Sequence, residues 1–232
     1  MARRGRRTSG RARVAGLLVL AALTACAWGW WELRHWTPDA AQFPEQGAEI
    51  AAADGDVRFP TLAALGARFV YLHASGAGGR DPAFAAHLGA ARAAGLRVGA
   101  VHRFDPCAPA DRQSALFVLM VPRARDLLPP AIALDSDGDE CAAKVAEAEV
   151  ESELLTLINQ IEAHAGKPAI LQVSRRFERR YQLAGRLDRN LWIVGTWREP
   201  TYAGRPWLMW TANTALATEA ADQPLRWVVV RP

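Results

Sequence analysis

The chain has 232 residues, half of them hydrophobic, which suffices for one sizeable domain with a packed core and is too apolar for a disordered chain. Its formal net charge of +4 misleads, because Arg3, Arg4, Arg6, Arg7, Arg11 and Arg13 all precede the first apolar run, and without those six the remainder carries −2. A nucleic-acid-binding domain needs its basic residues on a folded face, so this distribution gives that class no support and no nucleic-acid partner is expected.

Val14 to Trp31 is an uncharged apolar run about long enough to cross a bilayer. The arginines before it hold residues 1–13 in the cytoplasm and send the rest of the chain outward. Three readings of residues 14–33 stand side by side. Length and the interfacial Trp28, Trp30 and Trp31 favour a retained signal anchor. Ala25-Cys26-Ala27 has the small-x-small pattern of a cleaved signal peptide. Leu23-Thr24-Ala25-Cys26 resembles the box before a lipidated cysteine. Each places the following domain in the periplasm or beyond.

Residues 34–46, with Pro38 and Pro44, read as a linker, and the domain is expected over 47–232. Arg68 to His73 reads as a strand, Pro82 to Ala94 as an Ala-rich helix ended by Gly95, Arg97 to Phe104 as a strand and Ala110 to Met120 as a helix. Ala131 to Leu134 is a short strand, and Ala142 to Ala165 a long helix closed by Gly166. Pro168 to Val173 is a strand, followed by a basic helix near Phe177 to Leu183. Leu191–Val194, Trp207–Trp210 and Trp227–Val230 are the last strands. Short strands alternating with helices imply a parallel sheet, and about eight of them in one α/β chain imply an irregular (β/α)8 TIM-like barrel. In such a barrel chemistry sits at the C-terminal strand ends. The polar residues there are Glu49, Asp54, His73, Ser75, His102, Asp105, Asp135, Asp137, Thr211 and Arg226.

Cys107 and Cys141 each follow a predicted strand, and outside the cytoplasm such a pair is expected to bridge. No second Cys or His stands at ligand spacing, so no metal is expected, and nothing calls for a cofactor.

Several stretches, in order, resemble the glycoside hydrolase family 25 lysozymes. Gly47 to Pro60 is similar to the opening G-x-D-x-S-x-x-Q-G-x-I-D-W-P, and Phe69 to Ser75 to F-x-x-x-K-A-T-E-G. Asp81-Pro-Ala-Phe84 resembles D-x-x-F, Gly95 to His102 A-G-L-x-x-G-A-Y-H, and Leu128 to Asp135 L-P-P-A-L-D-L-E. Trp207-Leu-Met-Trp210 is similar to the late W-x-x-W, and Pro224 to Val228 stands where the family ends with D-L-N. The resemblance implies a barrel-shaped N-acetylmuramidase acting on bacterial peptidoglycan, which the N-terminal segment would leave anchored in the inner membrane, secreted or lipidated.

The departures fall on the site. The opening Asp is Glu49, the Gln is Asp54, and the second-strand Glu is Gly76. The D-x-E pair becomes Ala133 and Asp135, and the Asp of D-L-N becomes Arg226. A register shifted by two would instead offer Asp135 and Asp137, at the cost of an insertion in a short strand. Glycoside hydrolysis uses one carboxylic acid and one carboxylate, and the resemblance assigns these to Asp135 and Glu49. Asp is shorter than Glu by about 1.5 Å, and misplacement by about 1 Å can cost about a hundredfold. The resemblance therefore implies a muramidase-like, peptidoglycan-acting or -binding domain with weakened or lost catalysis; a working glycosidase and a non-catalytic envelope scaffold are the alternatives. Asp135 also opens an acidic run with Asp137, Asp139 and Glu140, as exposed loops do. Asp54, His73, His102 and Arg226 are candidate glycan contacts. Trp207 and Trp210 are candidate sugar platforms, although large aromatics are more often core. Arg226 either faces the same pocket as Asp135 and Glu49, pairing with a carboxylate, or points to solvent at the C-terminal edge.

Overall fold

The computed structural model describes residues 8–232, with side chains from Val14 onward. Of the arginine tail expected over residues 1–13, the part before Thr8 lies outside the described residues. The chain forms two compact units, Met1–Trp36 and Thr37–Pro232. In the first, helix α1 spans Thr8–His35, and its Val14–His35 stretch is long and apolar enough to cross a membrane.

The second unit is a barrel. Its strands are β1 (Gln46–Ile50), β2 (Phe69–Gly76), β3 (Gly79–Arg80), β4 (Arg97–Arg103), β5 (Ala131–Leu134), β6 (Ile170–Val173), β7 (Asn190–Val194), β8 (Met209–Leu216) and β9 (Leu225–Val230). Its helices are α2 (Phe59–Ala64), α3 (Phe84–Ala93), α4 (Ala110–Met120), α5 (Glu147–Ala165) and α6 (Arg175–Tyr181). The ring runs β1-β9-β8-β7-β6-β5-β4-β2 and closes through β1 on β2, while β3 hangs on β2 as a hairpin.

The ring is not wholly parallel, as the alternation of strands and helices had implied. β9 pairs antiparallel with both β8 and β1. The segment between β8 and β9 is too short for a crossover helix, and a short connection returns antiparallel. That hairpin also extends β8 to Leu216, past the Trp210 expected to end it, because β9 supplies ladder partners as far as Leu225.

Two other boundaries move for local reasons. α5 starts at Glu147 instead of Ala142, because residues 138–140 form a 3-10 turn capped by Asp137 and Ala146 is extended at φ −74, ψ 148. Its C-terminus is where Gly166 implied, with Gly166 left-handed at φ 66. Residues 38–46 are not a free linker. Phe43 is buried between Trp207 and Trp210, with ring centroids 6.4 and 6.0 Å away, and the Gln46 amide donates to the Pro38 and Phe43 carbonyls. The packed unit thus begins near Thr37 instead of at residue 47.

Alternation along each strand divides the core in two. Phe69, Tyr71, Val101, Ala131, Ala133, Ile170, Trp192, Met209 and Val228 fill the barrel interior. The intervening residues face the helices. Gly47 and Gly99 are required at the narrow end, where an added Cβ would lie 2.2 Å from the Phe69 carbonyl and 2.3 Å from the Tyr71 ring.

Cys107 and Cys141 form the expected disulfide, with Cα atoms 5.3 Å apart, tying the loop after β4 to the loop after β5. The bridge closes 34 residues of sequence separation, for which loop-closure entropy gives about 3–4 kcal/mol. Replacing both cysteines by serine is expected to lower the unfolding free energy by that order; an unchanged urea midpoint would show that the bridge constrains nothing.

Candidate functional site

The interior becomes polar toward the C-terminal ends of the parallel strands. Glu49 of β1, 1% exposed, lies at the centre. His73 of β2 approaches Glu49 Oε1 through Nε2 at 2.7 Å, and the Gln172 amide of β6 donates to Oε2 at 2.7 Å from across the barrel. Arg226 of β9, register partner of Glu49, brings Nε to 3.2 Å from Oε2. That contact is an ion pair without hydrogen-bond alignment, since Nε has no hydrogen-bond partner. Burial alone would raise the Glu49 pKa, but the Arg226 charge and the hydrogen bonds from His73 and Gln172 outweigh it and hold the carboxyl down at about 2. With Glu49 ionised, the His73 Nε2 proton belongs to Oε1, so the 3.2 Å approach of Arg226 Nη2 to the same nitrogen is packing and not a second hydrogen bond.

Asp135 continues the inward alternation of Ala131 and Ala133 at the end of β5. Its Oδ2 lies 3.1 Å from Arg103 Nε, and both side chains are about two-fifths exposed. Arg103 stands at the end of β4 directly across from Ala133, which is flanked on its other side by Gln172. Each carboxylate assigned to chemistry therefore has its own arginine: Arg226 on Glu49 and Arg103 on Asp135. The expected cation at the mouth is present, paired with Glu49. Arg103 was not foreseen as a site residue, although the inward parity of Val101 would have pointed to it.

An open cavity of about 400 Å³ sits over this layer, lined by Asp54, His73, Ser75, Arg80, Arg103 and Arg226 among others. Asp54 is at its rim, but Oδ2 accepts the Ala51 amide at 2.7 Å and shapes its own loop. Asp81 likewise spends both oxygens on the Ala52 and Ala83 amides. A larger cavity of about 510 Å³ at the opposite end is lined by Glu162, Lys167, Arg189 and Arg205, whose charges are matched to one another or to carbonyls.

Four expectations need correction. His102 does not reach the mouth: it is fully buried on the helix side of β4, between Ser75 Oγ at 2.9 Å and Gln113 Oε1 at 3.2 Å, against the Phe117 ring. Burial lowers its pKa to about 4 against the opposing Gln113 contact, so it is neutral at pH 7. Trp207 and Trp210 do not line a groove; both are under 7% exposed, with indole N–H groups donating to Glu199 and to the Gly195 carbonyl around Phe43. Even strand parity sends Trp210 outward, to the helix side. Asp137, offered by the shifted register, is clamped by Arg176 at 2.6 and 3.0 Å, and that pairing lowers its pKa. It cannot serve beside Asp135.

A closed eight-stranded barrel with carboxylates and cations gathered at the C-terminal strand ends is the architecture in which barrel enzymes place their active sites. The family model for glycosyl hydrolases family 25 matches residues 48–214, and the chain belongs to that family. Solved structures agree in fold. A family 25 glycosyl hydrolase from Bacillus anthracis is 22% identical with a TM-score of 0.75, over 86% of this chain and 93% of that one. The bacterial lysozyme from Streptomyces coelicolor is 14% identical with a TM-score of 0.70, over 81% and 92%. The catalytic domain of endolysin ply40 from bacteriophage P40 of Listeria monocytogenes is 13% identical with a TM-score of 0.66, over 80% and 92%. No curated protein sequence matches the chain.

Proposed function

We propose that this family 25 domain is displayed outside the cytoplasm on a retained N-terminal anchor and binds peptidoglycan glycan strands without cleaving them at a useful rate. The carrying observation is the pairing of both remaining site carboxylates with arginines, Glu49 with Arg226 and Asp135 with Arg103. A glycosidase acid must hold its proton near the working pH, and an apolar wall is the usual means. Glu49 is held at about 2 and is an anion under any physiological condition. Asp135 faces solvent and Arg103 in place of an apolar wall. The partner and compartment are supported by the family match and by the apolar Val14–His35 helix behind an arginine-rich start.

The test uses full-length protein in detergent with insoluble peptidoglycan, measuring cosedimentation and release of reducing ends in parallel. Retention without release is expected. Release that Asp135→Asn abolishes would establish the working glycosidase instead, and absence of both would favour the envelope scaffold. The boundary carries its own expectation: a chain beginning at Thr37 should be soluble and fold cooperatively under oxidising conditions, because Phe43 and Gln46 keep their partners. A chain beginning at Gly47 should lose the Phe43 packing and melt lower; equal melting of the two would place the boundary later.

A further inference from the structure

Trp197 stands apart from the other tryptophans of the barrel's second half. Trp192, Trp207, Trp210 and Trp227 are all 6% exposed or less, whereas Trp197 is 40% exposed. It is also one of only two non-glycine residues with positive φ among those described, at 68°. A bulky side chain in the left-handed region is strained, and such outliers persist where the surroundings over-determine them, commonly at ligand clamps.

The surroundings that hold it are visible. Residues 195–197 run along the upper half of β8, with Gly195 N–H donating to the Thr211 carbonyl at 3.2 Å and Trp197 N–H to the Ala212 carbonyl at 2.8 Å. The Thr196 and Thr214 hydroxyls meet at 2.7 Å. This segment is on the loop after β7, on the mouth side of the barrel. β8 lies between it and β9, which carries Arg226. Two strand spacings put the Trp197 backbone roughly 10 Å from the Arg226 strand, within the span of a short oligosaccharide.

We infer that Trp197 is a stacking platform for the apolar face of an N-acetylated hexose, flanking the arginine-paired mouth. The inference rests on the peptidoglycan-binding reading above. The indole offers a large rigid face at small entropic cost, and at 40% exposure part of that face is open to solvent.

The strain makes the test discriminating. Trp197→Asn substitutes a residue that tolerates left-handed φ, so the melting temperature of the full-length protein in detergent should stay level or rise. Retention on insoluble peptidoglycan should fall by at least about tenfold, as anchor tryptophans do on truncation, with Trp197→Phe intermediate. A soluble β-1,4-linked tetramer of N-acetylglucosamine should compete for the parent protein and not for the variant's residual binding. Equal retention of parent and Trp197→Asn overturns the inference and leaves the binding reading intact. No retention of the parent overturns both. A lower melting temperature in Trp197→Asn assigns the residue to the fold, and competition by stem peptide but not by the tetramer assigns the surface to a peptide.

Discussion

Replacing Arg226 by leucine is expected to change the sign of Glu49's contribution to the pH dependence of stability. In the parent, Glu49 is held at about 2 against an ordinary value of 4.5. A lowered carboxylate contributes stability that is fully present above the unfolded value and is lost as pH falls through the folded one. The contribution, on the order of 3 kcal/mol from the size of that shift, is therefore present at pH 5 and disappears toward pH 2. Leucine removes the main lowering influence and leaves burial, which acts to raise the pKa. At neutral pH the folded variant must then either protonate Glu49 or bury its charge without the arginine. The cost grows as pH rises, and breaking one partner from a buried pair costs about 3–5 kcal/mol. Urea midpoints of parent and variant should converge toward pH 2 and separate by pH 7. Parallel profiles across that range would show that Arg226 does not compensate Glu49.

Cell-wall hydrolysis is expected to be at least about a hundredfold slower than that of a family member with an intact D-x-E pair, because misplacing a reacting group by about 1 Å already costs that much. Here three losses coincide. By the family resemblance, the shorter Asp135 stands at the acid's position beside Ala133, and Arg226 stands where the last Asp would be. The structure adds a fourth, the Arg103 guanidinium 3.1 Å from Asp135. Glu49 cannot substitute as acid, since it carries no proton at working pH and lies beneath the cavity at 1% exposure. Reducing-end assays should therefore read the same for the parent and for Asp135→Asn. A rate that approaches an intact lysozyme and collapses in Asp135→Asn would defeat the argument.

Much of the fold was legible because its signals are local. The helix over Ala110–Met120 and the strand over Ala131–Leu134 begin and end where apolar periodicity and flanking Pro, Gly and polar residues imply. The family motifs survive where they serve packing, as at Gly47 and Gly99, where no other residue fits against Phe69 and Tyr71. The disulfide followed from compartment and from the two loops that carry it. Composition was equally decisive in assigning the basic charge to the tail.

What the sequence could not decide was direction and partnership. Trp207 and Trp210 are the same residue type as Trp197, yet Phe43, more than 160 positions away in sequence, covers the first two and leaves the third exposed. His73 lies within β2 and His102 next to the end of β4, and the pleat of each strand sends His73 to Glu49 and His102 to Gln113 on the helix side. The two arginine–carboxylate pairs join β1 to β9 and β4 to β5, contacts that exist only once the ring has closed. The sequence alone determined the barrel and its family, and set an apolar run behind an arginine-rich start. Only the tertiary structure decided which charges neutralise one another, because an ion pair depends on distances of a few ångströms between strands that no local pattern encodes.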